Sequence, residues 1–458
     1  MAIATVNPSN GVVVKEFEAD SPAEVERKLA LAAQMAPVLA STAVRQRSEW
    51  LRKAADLLEA DVKSLAATMV LEMGKPIGQA EAEVLKSAKG LRFYADHAED
   101  FLKDEWITNP AAVGASQAGT KWQPLGVVLA VMPWNYPLWQ AIRFAAPALA
   151  CGNVGLLKHA SNVPQTAIYI QELFERAGFP KGAFTTLLIG ARDVKAVIED
   201  SRVKGMTITG SEPAGRSVAA TAGEALKPSV LELGGSDPFI VMPSADIEGA
   251  VAAALKSRTL NNGQSCINAK RFLVHSDVYD KFTDLFVSKV KALKVGDPMD
   301  PSTEIGPLAS ESGRNEVVAL VEDAVKKGAK VLAGGNVPDQ PGWWFTPTVL
   351  ADLPADALLI QEESFGPVAS MYRVSSLDEA IKIANQTRFG LSSAIWSTDA
   401  AELEKAVNEI EAGAVFVNGF SISFNELPFG GIKASGYGRE LALVGMREFM
   451  NMKTVWKA

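Results

Sequence analysis

Cysteine and histidine are scarce in this chain: its 458 residues include two of the first and three of the second. Two cysteines, Cys151 and Cys266, cannot staple a disulfide framework, so the fold must rest on its core. His97, His159 and His275 are far apart and share no paired-ligand spacing with the cysteines, which predicts no catalytic metal. No run approaches the roughly 18 apolar residues of a membrane span. The opening MAIATVNPSN lacks the basic region and apolar stretch of a signal peptide, and a reducing cytoplasm is the expected setting. A basic surplus is missing too: the formal net charge is -8, with no clustering of Lys and Arg to meet a phosphate backbone. Repeats and low-complexity tracts are absent. The expected partner is a small molecule, with neither nucleic acid nor membrane involved.

What is present is an ordinary globular composition, 48% hydrophobic and 21% charged, long enough for two to four domains. From Pro22 to about Leu102 apolar residues recur three and four apart, as in PAEVERKLALAAQMAPVLAS and SEWLRKAADLLEADVKSLAATMVLEMGK, which predicts amphipathic helices. From Leu125 short apolar runs (GVVLAVM, NVGLLK, TTLLIG, GMTITG) alternate with helical segments such as PQTAIYIQELFERAGF, the pattern of a parallel sheet with crossover helices. After about Gly234 a second series follows, with FIVM, KRFLVH, AKVLAGG, AIWS and AVFVNGF as strands. The fold class is therefore α/β.

Two local signals suggest phosphate binding. GMTITG runs into GSEPAG and then a helix, so Gly210, Ser211 and Gly215 bracket a turn whose helix N-terminus attracts a pyrophosphate, although a glycine pair there also serves as a plain turn. In LLKHASN, Lys158 ends a strand-like run and so falls at the carboxyl edge of the sheet, where ligands of open α/β sheets bind; a solvated surface lysine is the competing reading. Ser161, three residues on, is small and uncharged. Cys266 lies in NNGQSCIN among polar and small neighbours, whereas Cys151 in PALACGNVG has the surroundings of a packing site.

Four stretches taken together, PWNYP at 133 to 137, LELGGSDP at 231 to 238, GQSC at 263 to 266 and EESFGP at 362 to 367, resemble the aldehyde dehydrogenase superfamily, as do GSEPAG and the closing PFGGIKASGYGRE. The likeness spans nearly the whole chain and is greatest to the shorter bacterial succinate-semialdehyde dehydrogenases. It implies two Rossmann-like parallel-sheet domains plus a small β oligomerisation ribbon: a cofactor-binding domain over 1–104 and 124–233, a catalytic domain over 234–436, and the ribbon and tail over 105–123 and 437–458.

The resemblance also assigns roles. Cys266 matches the nucleophile, whose thiolate adds to an aldehyde to give an alkoxide able to expel hydride. Asn135, held between Trp134 and Tyr136, matches the oxyanion-hole amide, acting with the Cys266 backbone N–H. Glu232 matches the base that activates water against the resulting thioester; flanking Leu231 and Leu233 should raise its pKa. Glu363 and Phe365 match the positions that take the nicotinamide ribose and border the nicotinamide, and Trp134 also belongs to the cofactor wall. NAD-preferring relatives often carry a glutamate at the Ser161 position; its absence removes repulsion of a 2′-phosphate, so NADP is expected ahead of NAD, with Lys158 assisting.

Arg143, eight residues after Asn135, matches the arginine that binds the distal carboxylate of succinate semialdehyde, with pairing to a protein carboxylate as the alternative. Trp139 would wall the aldehyde tunnel, and Ser421 or Ser423 would add a hydroxyl. Two positions depart from the family pattern. Asn268 replaces a second cysteine found in several relatives, which excludes that regulatory disulfide, and Leu260 stands where some use an arginine for the substrate carboxylate. The expected activity is NADP-linked oxidation of an aldehyde to its acid, with another aldehyde, a cofactor-free thiol esterase or a catalytically silent relative as alternatives. Apolar Val444, Met446, Phe449, Met450 and Val455 near the terminus are expected to be exposed and to favour a subunit contact, giving a homodimer or homotetramer.

Overall fold

The computed structural model describes residues 2–458. Its first large sheet has six strands in the order Gly436–Tyr437, Ser229–Glu232, Val203–Thr209, Val127–Met132, Val154–His159 and Phe184–Thr186, all parallel except the first. The second has seven, ordered Lys330–Ala333, Thr348–Ala351, Val368–Val374, Ala269–His275, Asp237–Val241, Ser393–Trp396 and Val415–Val417, with only Lys330–Ala333 antiparallel. Strands buried on both faces read as continuous apolar runs, which is why VVLAVM and DPFIV are wholly or almost wholly inside. Helices cover both faces, and each sheet has its own apolar core.

The helical lead-in is present, with one break. The stretch from Ser48 to Lys75 forms two helices, Val44–Ala60 and Val62–Met73, because the chain turns at Asp61, whose carboxylate takes up Tyr169 and Arg176 instead of continuing a helical face. A hairpin of Ile3–Asn7 and Val12–Phe17 precedes the helices, and sequence periodicity alone did not signal it. Glu105–Trp106, Gln117–Pro124 and Met450–Lys457 form a separate three-stranded antiparallel sheet.

The tail departs from expectation. Met446, Phe449 and Met450 are buried in the core around the first sheet, with Phe449 edge-on to Phe144, so they supply no free apolar face. Val455 is half-buried, and Val444 is exposed together with Met452 and Trp456. The cause is Gly436–Tyr437, which pairs with Glu232 and Leu231 and draws the following residues onto the first sheet before the chain reaches the ribbon. Among the described residues no helix is long and apolar enough to cross a membrane.

Candidate active site

The segment carrying Cys266 is a strained turn. Asn261, Asn262 and Gly263 are all left-handed, with φ of 58°, 57° and 76°. Asparagine tolerates that region better than most residues, and here both side chains also earn their place by bonding backbone. Asn261 Nδ2 donates to the carbonyls of Asn135 and Gln264 at 2.8 and 2.9 Å, and Asn262 Nδ2 donates to those of Gly74 and Pro307 at 2.9 Å each. Only glycine fits at 263, where a Cβ would lie 2.4 Å from the Gly366 carbonyl carbon. Gly234 and Gly235 are required for a similar reason: a Cβ on the first would meet the Glu363 carboxylate at 2.5 Å, and one on the second the Cys266 carbonyl at 2.6 Å. The end of the first sheet is thus pressed directly against the nucleophile loop and Glu363.

Cys266 borders two cavities. One, of about 350 Å³, is lined by Lys86, Trp139, Arg143, Leu260, Phe420, Ser421 and Ser423 among others; the second, of about 380 Å³, by Trp134, Asn135, Gly210, Ser211, Glu363 and Phe365 among others. Two otherwise separate spaces therefore meet at one residue. Burial pushes the Cys266 thiol up to about 12, reinforced by the Glu363 carboxylate and opposed by Lys270 and Arg143. Cys151 is buried and free, bonded to the Ala148 carbonyl at 3.3 Å and bordering neither cavity.

Asn135 lies in a loop held at both ends by His159, whose ring nitrogens contact the carbonyls of Met132 and Pro137 at 3.2 and 2.7 Å. Its Nδ2 donates to the Gln264 carbonyl at 3.2 Å, which leaves the second amide hydrogen uncommitted. Trp134 and Phe365 both line the second cavity and pack edge-on against each other, ring centroids 5.6 Å apart. Glu363 pairs with the buried Lys270 at 2.9 Å, and Lys270 also donates to the carbonyls of Ser265 and Cys266 at 2.9 and 2.8 Å. Lys270 was not singled out from sequence; its position four residues after the cysteine, at the start of a strand, carries no local signal.

Gly210 and Ser211 border the second cavity where the helix Glu212–Glu224 begins, and Gly215 lets that helix close on Leu233, where a Cβ would come within 2.5 Å of the side chain. Lys158 and Ser161 do not border this cavity. They sit at and beyond the carboxyl end of Val154–His159, the strand adjoining the one that leads to Trp134. Lys158 is buried without an ion-pair partner among the described residues, and burial lowers its pKa.

Glu232 ends its strand buried, with neither carboxylate oxygen hydrogen-bonded, its side chain against Gly430 and bordering neither cavity. Burial raises its pKa well above the usual carboxylate range, and the Glu440 carboxylate adds to this while Arg143 and Arg439 oppose it. Arg143 does border the first cavity, but its Nε is ion-paired with Glu440 and its NH2 donates to the Thr209 hydroxyl at 3.3 Å. The protein-carboxylate alternative is therefore the one found, and Glu440, hidden in the closing GRE, was missed. Trp139, Ser421 and Ser423 all border the first cavity; Ser421 bonds Ser392 at 2.7 Å, and Ser423 accepts from Lys86 at 2.6 Å. Lys86, on the helix Ile77–Phe101, was also missed, because in sequence it is one of many lysines on an amphipathic helix.

The model of the aldehyde dehydrogenase family matches residues 1–455. The chain is 58% identical over 457 residues to the NADP(+) succinate-semialdehyde dehydrogenase 1 of Mycobacterium ulcerans, covering all of both chains. It is 57% identical to the corresponding protein of Mycobacterium avium, over all of this chain and 97% of that one. The crystal structure of succinic semialdehyde dehydrogenase from Streptococcus pyogenes in complex with NADP+ superposes with a TM-score of 0.96 at 37% identity, over 99% of each chain. With a thiol at the meeting of two cavities and a family match along almost its entire length, the chain belongs to the aldehyde dehydrogenase family.

Proposed function

We propose that this protein oxidises succinate semialdehyde to succinate with NADP, through a hemithioacetal and then a thioester on Cys266. The observation that carries the reading is the placement of Cys266 on the wall of both cavities, so that a substrate in one and a cofactor in the other share a reacting centre.

The second cavity suits a nicotinamide dinucleotide: a helix N-terminus at Ser211, aromatic walls from Trp134 and Phe365, and the Glu363 carboxylate for ribose hydroxyls. Lys158, buried without a counter-charge, and the Ser161 hydroxyl are assigned to a 2′-phosphate, which favours NADP over NAD. When bound, the cofactor supplies the hydride acceptor. Cys266 adds to the carbonyl as its thiolate, and the developing oxyanion accepts hydrogen bonds from the free amide hydrogen of Asn135 and from the Cys266 N–H. Glu232 then activates the water that cleaves the thioester. To do so it must turn from Gly430 towards Cys266.

Exposed Trp106, Met452 and Trp456 on the three-stranded sheet support a homodimer or homotetramer built through that ribbon. The test is the near-ultraviolet absorbance of reduced nicotinamide when protein, NADP and a panel of aldehydes are mixed. Succinate semialdehyde should give the highest kcat/KM, and a panel that responds to every aldehyde except this one would refute the substrate.

A further inference from the structure

The first cavity has walls that are mostly apolar, yet three cations border it and a single carboxylate, Glu83, does. That carboxylate is committed elsewhere: it is ion-paired with the buried Lys75 and accepts the backbone N–H groups of Leu138 and Trp139 at 2.9 Å each. Arg143 is committed to Glu440. Lys256 is exposed at the rim, 5.5 Å from the Phe420 ring centroid. Lys86 is different. It is half-buried, its ammonium lies 4.6 Å above the Trp139 ring, and its only hydrogen-bond partner among the described residues is the neutral Ser423 hydroxyl at 2.6 Å.

A cation held away from water by an aromatic face and one hydroxyl, with no carboxylate in contact, is incompletely satisfied; an ammonium has three donors, and one is used here. A carboxylate entering the cavity would complete it with a charge-assisted bond while the Ser423 hydroxyl stayed in place. We propose that Lys86, steadied by Ser423 and the face of Trp139, is the residue that recognises the distal carboxylate of an ω-carboxy aldehyde, while Arg143 stays paired with Glu440. The inference rests on the substrate reading given above and deepens it.

Burial and the neighbouring Arg143 guanidinium push the Lys86 ammonium down to about 8, which is the signature of a cation short of counter-charge; Glu83, on its own helix, opposes the shift. The location follows from helical spacing. Gly78, Gln79, Ala82, Glu83 and Lys86 recur at one and three- or four-residue steps and so form a single stripe of Ile77–Phe101 along the cavity. Gly90, one turn further, leaves room for the Trp139 ring, since a Cβ there would stand 3.0 Å from it.

The experiment compares kcat/KM for succinate semialdehyde and for butanal in the parent, K86M, K86R and R143M, with dinucleotide binding followed by fluorescence. K86M should lower the ratio of the two values by ~10- to 100-fold, the range expected for losing one partner of a partly desolvated charge pair. K86R should restore it to within about threefold, because a cation of similar reach is back. R143M should depress both substrates together and leave the ratio near that of the parent. A parent ratio well above one that K86M preserves overturns the Lys86 assignment alone, and loss of the ratio in R143M instead would return the role to Arg143. A parent without preference overturns the substrate reading and this inference together. Should K86M lose dinucleotide binding, the parent itself decides: succinate, and not butyramide, should protect Lys86 from reductive methylation read by peptide mass, and equal labelling with both refutes the proposal.

Discussion

Replacing Asn135 by alanine isolates the oxyanion donor with little structural cost, and the structure gives the reason. The Gln264 carbonyl that Asn135 Nδ2 contacts at 3.2 Å also accepts from Asn261 Nδ2 at 2.9 Å, so it keeps a partner when the Asn135 side chain is removed. The Asn135 backbone carbonyl keeps its bond from Asn261 as well. No buried acceptor is orphaned, and the penalty of roughly 1–3 kcal/mol that usually follows such a loss does not arise. The melting temperature should fall by no more than about 2 °C. What is lost is one fixed donor aimed at the developing charge, worth ~10²- to 10³-fold in rate, or about 2.7–4 kcal/mol. Stopped-flow absorbance of reduced nicotinamide over the first turnover reads this step directly, and a dinucleotide titration shows whether the second cavity is intact. Asn135→Asp should be at least as slow, since it keeps the shape and replaces a donor by a negative charge. A first-turnover rate within threefold of the parent in Asn135→Ala would assign Asn135 to loop structure and leave the Cys266 N–H as the sole donor.

Glu232→Gln should release about one equivalent of reduced cofactor per site in a burst and then turn over slowly, because the amide cannot take a proton from water; steady turnover without a burst would remove Glu232 from deacylation. In cofactor-free protein the iodoacetamide alkylation of Cys266 should rise about tenfold per pH unit from 7 to 9, since burial holds the thiol at about 12 and the thiolate fraction grows throughout that window. A plateau below pH 9 would mean that Lys270 and Arg143 outweigh desolvation. Ser161→Glu should move the ratio of kcat/KM for NADP over NAD towards NAD by at least tenfold, as a carboxylate repels a 2′-phosphate and accepts a 2′-hydroxyl; an unmoved ratio would place the choice in another residue.

Much of this molecule is decided locally, and that part was legible in the sequence. Strands such as Val127–Met132 and Asp237–Val241 read clearly because burial on both faces demands continuous apolar runs. The helix Pro22–Ser41 read clearly because one buried stripe imposes its period, and Ser21 caps it. The motifs around Cys266, Asn135, Glu232 and Glu363 were legible through their resemblance to the aldehyde dehydrogenase superfamily, and at Gly234, Gly235 and Gly263 the structure gives a physical reason for the glycine, a close approach or a left-handed turn. Other features depend on what folding brings together. Asp61 breaks a helix for partners more than a hundred residues away. The expectation of exposure for Met446, Phe449 and Met450 failed because distance from the chain end says nothing about which core lies beneath, and here Gly436–Tyr437 anchors the tail onto the first sheet. Charge was the least legible property. Whether Arg143 serves a substrate or Glu440, and whether Lys86 is a solvated surface lysine or an uncompensated cation in a tunnel, depends on the sum of all nearby charges and on access to water. Both are set by residues distant in sequence, so tertiary structure alone decides them.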